Sequence, residues 1–304
     1  MLLSLAHTRE ELAAAIAANE PNRAVVMTMG ALHEGHLDLL RRAGTLVGAG
    51  GTVVVTIFVN PLQFAPGEDL EAYPRDLEGD VEKLRTVAET ELQLSQLVVF
   101  APTPEVIYPS GVPQVSINPG PIATVLEGVT RPTHFAGVCQ VVLNLMHLTH
   151  PTWALFGRKD AQQLAIVRAM VRDLSVPLSI EPVDIRRESD GLAMSSRNAY
   201  LTPVQRQQAL ALSQALKAGI AAAESGGDGA AVRQAALAYL ANADGVEVDY
   251  VAVVGADSFV DLAGAGLGLD PQKYQPVAGE SALLALAAKV GSTRLIDNTL
   301  ITLR

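Results

Sequence analysis

The chain has 304 residues, 49% of them hydrophobic and only 18% charged, and its 22 Lys+Arg against 32 Asp+Glu leave a formal net charge of −10. This length allows about two domains with cores that need neither metal nor disulfide. The composition excludes a disordered chain and a uniformly basic surface that would recruit nucleic acid or anionic lipid, although a few placed donors can still hold a small anion against that field.

The opening Leu2-Leu3-Ser4-Leu5-Ala6 is shorter than a signal-peptide core and runs into Arg9-Glu10-Glu11. No stretch approaches the roughly 18 apolar residues of a membrane span. The single cysteine, Cys139, cannot form an intrachain disulfide and reads as a small buried residue in a reducing compartment. A soluble cytoplasmic protein is expected, without membrane or nucleic-acid partners.

In chain order, Arg23–Met29 reads as a buried strand stopped by Gly30, and the helical spacing over Leu37–Val47 predicts a helix. Thr52–Val59 is a β-branched strand ended by Asn60-Pro61. A helix is predicted over Leu70–Leu84, a strand over Leu97–Phe100, a helix over Gln140–Leu148, a strand over Trp153–Phe156, a helix over Gln162–Leu174 and a strand over Leu178–Val183. Continuous apolar strands alternating with helices imply a doubly wound parallel sheet, an α/β Rossmann-like fold. Beyond about residue 185 come Ala-rich helices over Pro203–Ala223 and Ala230–Ala241, then strands over Val246–Val254, Ala282–Val290 and Thr293–Ile301, with a loop over Ala263–Pro276. The expected organisation is therefore a domain over 1–184 followed by a smaller α+β domain over 185–304.

Four elements carry candidate chemistry. Met29-Gly30-Ala31-Leu32-His33-Glu34-Gly35-His36 lies at a strand-to-helix turn, where unpaired N–H groups, the helix dipole and imidazole donors suit phosphate. Two incidental histidines at a glycine turn are the plain alternative. A zinc-protease reading is disfavoured, because that motif needs histidines four apart on one helix face, without an intervening glycine. Phe58-Val59-Asn60-Pro61-Leu62-Gln63-Phe64 ends the strongest strand, where open parallel sheets bind ligands. Amides framed by aromatics there suit a small hydroxylated, partly apolar molecule, or else form only a turn over the core. Gly157-Arg158-Lys159-Asp160, followed by Gln162-Gln163, places a lysine able to reach phosphate and an aspartate able to take ribose hydroxyls, or is a solvated helix cap. Met194-Ser195-Ser196-Arg197 follows Asp190-Gly191 and reads as a polyphosphate lid or as an interdomain turn. In a doubly wound fold these positions are expected to converge on one cleft.

Together with Tyr73-Pro74-Arg75, Glu127-Gly128, Arg131-Pro132-Thr133-His134-Phe135 and Arg294-Leu295-Ile296-Asp297-Asn298, these elements closely resemble the pantothenate synthetase (pantoate–β-alanine ligase) family of the nucleotidylyltransferase superfamily, over essentially the whole chain. The resemblance implies a homodimer with a carboxy-terminal lid domain, and Mg²⁺-ATP as co-substrate. It implies condensation of (R)-pantoate with β-alanine through a pantoyl adenylate, releasing pyrophosphate and AMP. The resemblance gives His36 and His33 the catalytic part, with Lys159, Ser195, Ser196 and Arg197 holding phosphates. Met29, Gly30, Gly157, Asp160, Arg186 and Met194 complete the ATP set. Met29, Phe58, Asn60, Gln63, Tyr73, His134 and Gln163 form the substrate set, Gln63 and Gln163 reading pantoate hydroxyls while Met29 and Phe58 pack on its methyls. No residue is assigned to a metal.

The sequence departs from the family pattern at Met27 (usually proline), Arg158 (usually glutamate), Ala161 (usually aromatic), Arg186 (usually small and apolar) and Gln140 (usually small), and Ala88–Gln96 looks like an insertion in a helix-to-strand link. Two other functions remain at this stage: a nucleotidylyltransferase that leaves a stable conjugate, and a nucleotide-binding regulator whose catalysis has decayed.

Overall fold

The computed structural model describes residues 1–16, 22–64, 70–71 and 73–303. It divides into two compact units. The first comprises 1–119, 131–158 and 167–184, and the second 120–130, 159–166 and 185–304. A division thus falls after Asp184, and two earlier segments group with the second unit. The stretch read as one Gly157–Gln163 element is split, with Gly157 and Arg158 in the first unit and Lys159 onward in the second.

The first unit is built on a six-stranded sheet of β1 (Leu2–Ala6), β2 (Arg23–Thr28), β3 (Thr52–Ile57), β4 (Gln96–Phe100), β5 (Trp153–Gly157) and β6 (Ser179–Val183), in the order β1-β4-β3-β2-β5-β6. Every pairing is parallel. Residues Val53 to Val55 and Leu97 to Phe100 are fully buried, which accounts for their unbroken apolar runs. The helices before residue 185 are α1 (Arg9–Ala15), α2 (Glu34–Val47), α3 (Leu77–Glu91), α4 (Pro104–Ile107), α5 (Glu127–Thr130), α6 (His134–Thr149) and α7 (Ala161–Asp173), of which α5 and the start of α7 group with the second unit. Leu37, Leu40, Ala43 and Val47 of α2 enter one core with Val81, Leu84, Val87 and Ala88 of α3 and the strand residues Val26, Val53, Val55 and Leu97. Burying each of these leucine and valine side chains contributes on the order of 1.5–3 kcal/mol. The expected α/β class is the observed one.

Two helix expectations are corrected, and one strand goes beyond what the sequence predicted. Leu2–Ala6 is an edge strand paired with β4, a role that so short a polar-interrupted run does not advertise. The helix expected over 70–84 runs instead over Leu77–Glu91, with residue 72 outside the described residues. Pro74 lacks an N–H and biases its predecessor away from helix, and Asp76 caps the true start by accepting from the Gly79 N–H at 3.0 Å. At its other end α3 continues because Val87 and Ala88 extend the buried stripe of Val81 and Leu84. Ala88–Glu91 are therefore helical, and the link to β4 is only 92–95. Helix α6 also starts earlier than expected, since Phe135, Val138 and Cys139 belong to its buried face.

The second unit holds a three-stranded antiparallel sheet of β7 (Val246–Gly255), β8 (Ala282–Val290) and β9 (Thr293–Ile301), with β8 central. Helices α8 (Pro203–Glu224) and α9 (Gly229–Ala241) pack Leu212, Leu216, Val232 and Leu240 against Val251, Leu284 and Leu286. Thr202 caps α8 in a reciprocal capping box with Gln205, with Pro203 in the first turn. Among the described residues no helix is long and apolar enough to cross a membrane.

Candidate active site

Strand β2 lies between β3 and β5, so the chain leaves it where the strand order reverses, the place where open α/β sheets bind ligands. Thr28 ends the strand, and its Oγ1 accepts from the Gly30 N–H at 3.3 Å. Gly30 turns the backbone at φ +86°, and a Cβ there would lie 3.2 Å from both Asp80 Oδ2 and Ile57 Cγ2. Only glycine suits both the conformation and the space. The next residues are clamped from α3: Asp80 Oδ1 accepts from the Leu32 N–H at 2.8 Å, and Lys83 Nζ donates to the Leu32 carbonyl at 3.0 Å.

This clamp delivers His33 as the cap of α2. Its Nδ1 accepts from the Gly35 N–H at 3.2 Å, while His36 Nδ1 accepts from the His33 N–H at 3.3 Å. A ring nitrogen that accepts carries no proton, so both neutral imidazoles carry theirs on Nε2. The rings lie 4.0 Å apart between centroids and 31° from parallel. Two Nε2–H donors side by side on a helix start, backed by its dipole, form an arrangement suited to a phosphate oxygen.

Beyond β3, Asn60 is completely buried. Its Nδ2 donates to Gln63 Oε1 at 3.1 Å and to the Gly137 carbonyl at 3.0 Å. Its Oδ1 accepts from the Tyr108 hydroxyl at 2.9 Å and the Leu62 N–H at 3.3 Å. Burial pushes the Tyr108 phenol far up, which keeps it a donor. With its donors and acceptors spent inside the protein, Asn60 acts on its neighbour: it holds Gln63 Oε1 and so fixes which way the Gln63 amide is turned. His134 behaves similarly. Its Nδ1 donates to the Gln63 carbonyl at 3.1 Å, so Nε2 is the acceptor, 3.3 Å from Arg131 Nη1. Phe58 is buried edge-on to Tyr108, with centroids 6.2 Å apart, and Phe64 stands against Tyr73 at 6.1 Å. Replacing Tyr108 with Phe should leave Asn60 Oδ1 short of one donor, costing about 1 kcal/mol in chemical denaturation. An unchanged midpoint would remove Tyr108 from this network.

In the second unit, Lys159 is partly buried, with Nζ 3.9 Å from Asp160 Oδ1, and Gln163 lies in the first turn of α7. Its neighbour Gln162 is structural, donating to the Ile122 and Val125 carbonyls at 2.7 and 2.8 Å. The Ser-Ser-Arg element follows a short hairpin: Arg187 bridges to Ala193, and the Met194 N–H donates to the Arg186 carbonyl at 2.9 Å. Ser195 Oγ then accepts from the Arg197 N–H at 3.3 Å. Arg186 engages the hairpin through its main chain, and its side chain is exposed.

Arg206 holds this hairpin from α8, donating to Glu188 Oε2 at 2.6 Å and Asp190 Oδ2 at 2.7 Å. The Arg206 guanidinium holds the Glu188 carboxyl below its usual range. Asp190 is also lowered: desolvation raises it, but the Leu192 N–H and Arg206 together outweigh that. A carboxyl lowered in the folded state contributes stability above its unfolded value of about 4, and loses it as pH falls through the folded value. Thermal unfolding of wild type and Arg206→Met between about pH 6 and 3 should show a shallower acid loss in the variant, and parallel curves would discount the pairing.

Of the departures from the family pattern, Arg158 is accounted for by pairing: its Nε lies 3.0 Å from Asp184. Ala161 and Met27 are half-buried, and nothing in the structure explains why they replace an aromatic and a proline. Cys139 is buried, and its thiol is pushed up to about 11, which makes it inert. Sequence reading missed Asp80, Lys83 and Tyr108. A charged residue on the apolar side of an amphipathic stripe is the available signal for Asp80.

The family model for pantoate–β-alanine ligase matches residues 3–300. The chain is 47% identical over 301 residues to the pantothenate synthetase of Nocardioides sp., covering 97% of this chain and 84% of that one. The crystal structure of pantothenate synthetase from Thermus thermophilus superposes with a TM-score of 0.83 at 40% identity, covering 98% of this chain and 99% of that one. That of the Francisella tularensis pantoate–β-alanine ligase, complexed with β-γ ATP and β-alanine, superposes with a TM-score of 0.72 at 28% identity, covering 98% of each chain.

Proposed function

The chain belongs to the pantoate–β-alanine ligase family, and from that premise we propose that it condenses (R)-pantoate with β-alanine at the expense of ATP, through a pantoyl adenylate. In the first step a pantoate carboxylate oxygen bonds to the α-phosphorus of ATP as the bond to the β-phosphate oxygen breaks, and pyrophosphate leaves. In the second the β-alanine amine attacks the acyl carbon, the acyl–oxygen bond to AMP breaks, and the amine gives up a proton. Neither step needs a covalent bond to the enzyme; both need positioning and charge stabilisation.

The observation that carries the reading is the paired imidazole cap of α2, with Nδ1 occupied on both rings. Their Nε2–H groups are assigned to the α-phosphate, where charge grows as the carboxylate adds. Lys159, Ser195, Ser196 and Arg197 are assigned to the remaining phosphates. Backbone at Met29, Gly30, Gly157, Arg186 and Met194, with Asp160, is assigned to the nucleoside. The Gln63 amide donors and Gln163 read the pantoate hydroxyls, and Met29 and Phe58 accept its geminal methyls. Asn60 and His134 support Gln63 from behind, and Tyr73 borders the same pocket through Phe64. Amides in an apolar pocket reject analogues that lack the hydroxyl, because the amide is then left unpaired.

Among the described residues no three His, Cys, Asp or Glu side chains group as a metal cage. Lys159, Ser195, Ser196 and Arg197 are phosphate donors and include no carboxylate, a set that fits an Mg²⁺ ion arriving on the nucleotide phosphates and not held by a protein cage. Bound there, the ion would neutralise charge on the leaving pyrophosphate. The working enzyme is proposed to be a cytoplasmic homodimer.

The test is AMP release from ATP and (R)-pantoate with and without β-alanine, with pantothenate identified as product. Absence of β-alanine-dependent AMP overturns the proposal. A stable product that keeps the nucleotide would point to nucleotidyl transfer, and tight ATP binding with no turnover would point to a regulator.

A further inference from the structure

Arg294-Leu295-Ile296-Asp297-Asn298 has no part in the proposed chemistry, yet its last two residues are a buried polar pair inside an antiparallel sheet. Strand β9 sets Asp297 opposite Leu286 and Asn298 opposite Ala285 of β8, and the two are only 3% and 6% exposed. Unpaired polar groups at such depth are costly, so what they hold is informative. Asp297 takes the Arg187 guanidinium in a two-pronged pair, Oδ2 to Nη1 at 2.7 Å and Oδ1 to Nη2 at 2.9 Å, and Oδ1 also accepts from the Asn298 N–H at 2.8 Å. Arg187 Nη1 in turn donates to the Gly191 carbonyl at 3.1 Å. Asn298 Nδ2 donates to the Lys159 carbonyl at 2.9 Å.

Neighbouring side chains on a strand point to opposite sides, and here two adjacent positions grip two segments remote in sequence. One is the main chain at Lys159. The other is the hairpin that runs from Arg187 to Ala193 and leads into Ser195-Ser196-Arg197. Asn198 secures the end of that element by donating to the Ala193 carbonyl at 3.1 Å and to Glu188 at 2.8 Å. We propose that Asp297 and Asn298 are positioning residues that fix Lys159 and the Ser195–Arg197 loop relative to each other for binding one nucleotide polyphosphate. This rests on the assignment of those residues to ATP. A packing role alone would be met by apolar residues in β9. The guanidinium fork and the amide donor to Lys159 add orientation, which packing does not supply.

The decisive variant is Asn298→Ala, which removes the donor to Lys159 and leaves Asp297 in place. Calorimetric titration with ATP should show a Kd raised about tenfold, the effect of one well-placed hydrogen bond, while the Kd for (R)-pantoate stays within about twofold of wild type. In steady state KM for ATP should rise by the same factor, with kcat little changed. Arg187→Lys, which keeps the charge and loses the planar fork, gives a second reading and should raise KM for ATP in the same way. Thermal unfolding of each variant separates affinity from folded fraction.

An unaltered ATP Kd in folded Asn298→Ala overturns the proposal, as does an equal loss of pantoate affinity. If wild type makes pantothenate and the variants bind ATP normally, only the positioning pair falls. If wild type binds no ATP, the functional reading falls with it.

Discussion

His36→Ala is expected to slow β-alanine-dependent AMP formation by about 10²–10³-fold, the usual consequence of removing one preorganised donor from a developing oxyanion. That corresponds to about 3–4 kcal/mol of transition-state stabilisation. The structural cost is smaller. His36 supplies half of a reciprocal cap, accepting from the His33 N–H at 3.3 Å, and the other half, from Gly35 to His33, remains. Losing one such bond typically costs about 1 kcal/mol of stability. Rapid-quench measurement of pyrophosphate release beside thermal unfolding separates the two. His33→Asn sharpens the comparison, because asparagine is a good cap acceptor but lacks a donor at the position of Nε2. It should fold nearly as well as wild type and still lose most of its rate. A rate loss in either variant no greater than its loss of folded protein would strip the imidazoles of their catalytic assignment.

The second large effect is expected at Gly137→Ala, a residue that contacts no proposed substrate. Helix α6 crosses the 61–63 turn so closely that a Cβ at 137 would collide with the Leu62 carbonyl and come within 2.9 Å of the Gln63 nitrogen. Both obstacles are backbone, which cannot swing aside as a flexible side chain would. Overpacking of this kind costs about 3 kcal/mol. Moving the helix away also breaks the hydrogen bond from Asn60 to the Gly137 carbonyl and the hold of His134 on Gln63. A raised KM for pantoate is therefore expected alongside a lower denaturation midpoint, with KM for ATP little affected. Wild-type stability and pantoate KM in this variant would show that α6 does not set the position of Gln63.

Parallel strands were readable because burial on both faces leaves no alternation to confuse them: Val53–Val55 and Leu97–Phe100 announce themselves as apolar blocks. The α3 boundaries were not, since a helix start is settled by one cap such as Asp76 and its end by which residues meet the core. The position of His33, His36, Asn60 and Gln63 at the turns after β2 and β3 was also legible, because the apolar runs before them mark where each strand stops.

The roles of those residues were less legible. Asn60 and His134 look like ligands in sequence, and only coordinates show that Asn60 spends its hydrogen-bonding groups on Tyr108, Gln63 and Gly137 and that His134 turns to the Gln63 carbonyl. The same holds for Asp80 beneath Leu32 and for Asp297 and Asn298 behind Lys159 and Arg187. The sequence by itself determined the α/β class, five of the six strands of the parallel sheet and the family, since apolar periodicity and local motifs are properties of neighbouring residues. The tertiary structure decided which polar groups remain available to a ligand and which are already spent, because a hydrogen bond between positions 159 and 298 leaves no trace in either local sequence.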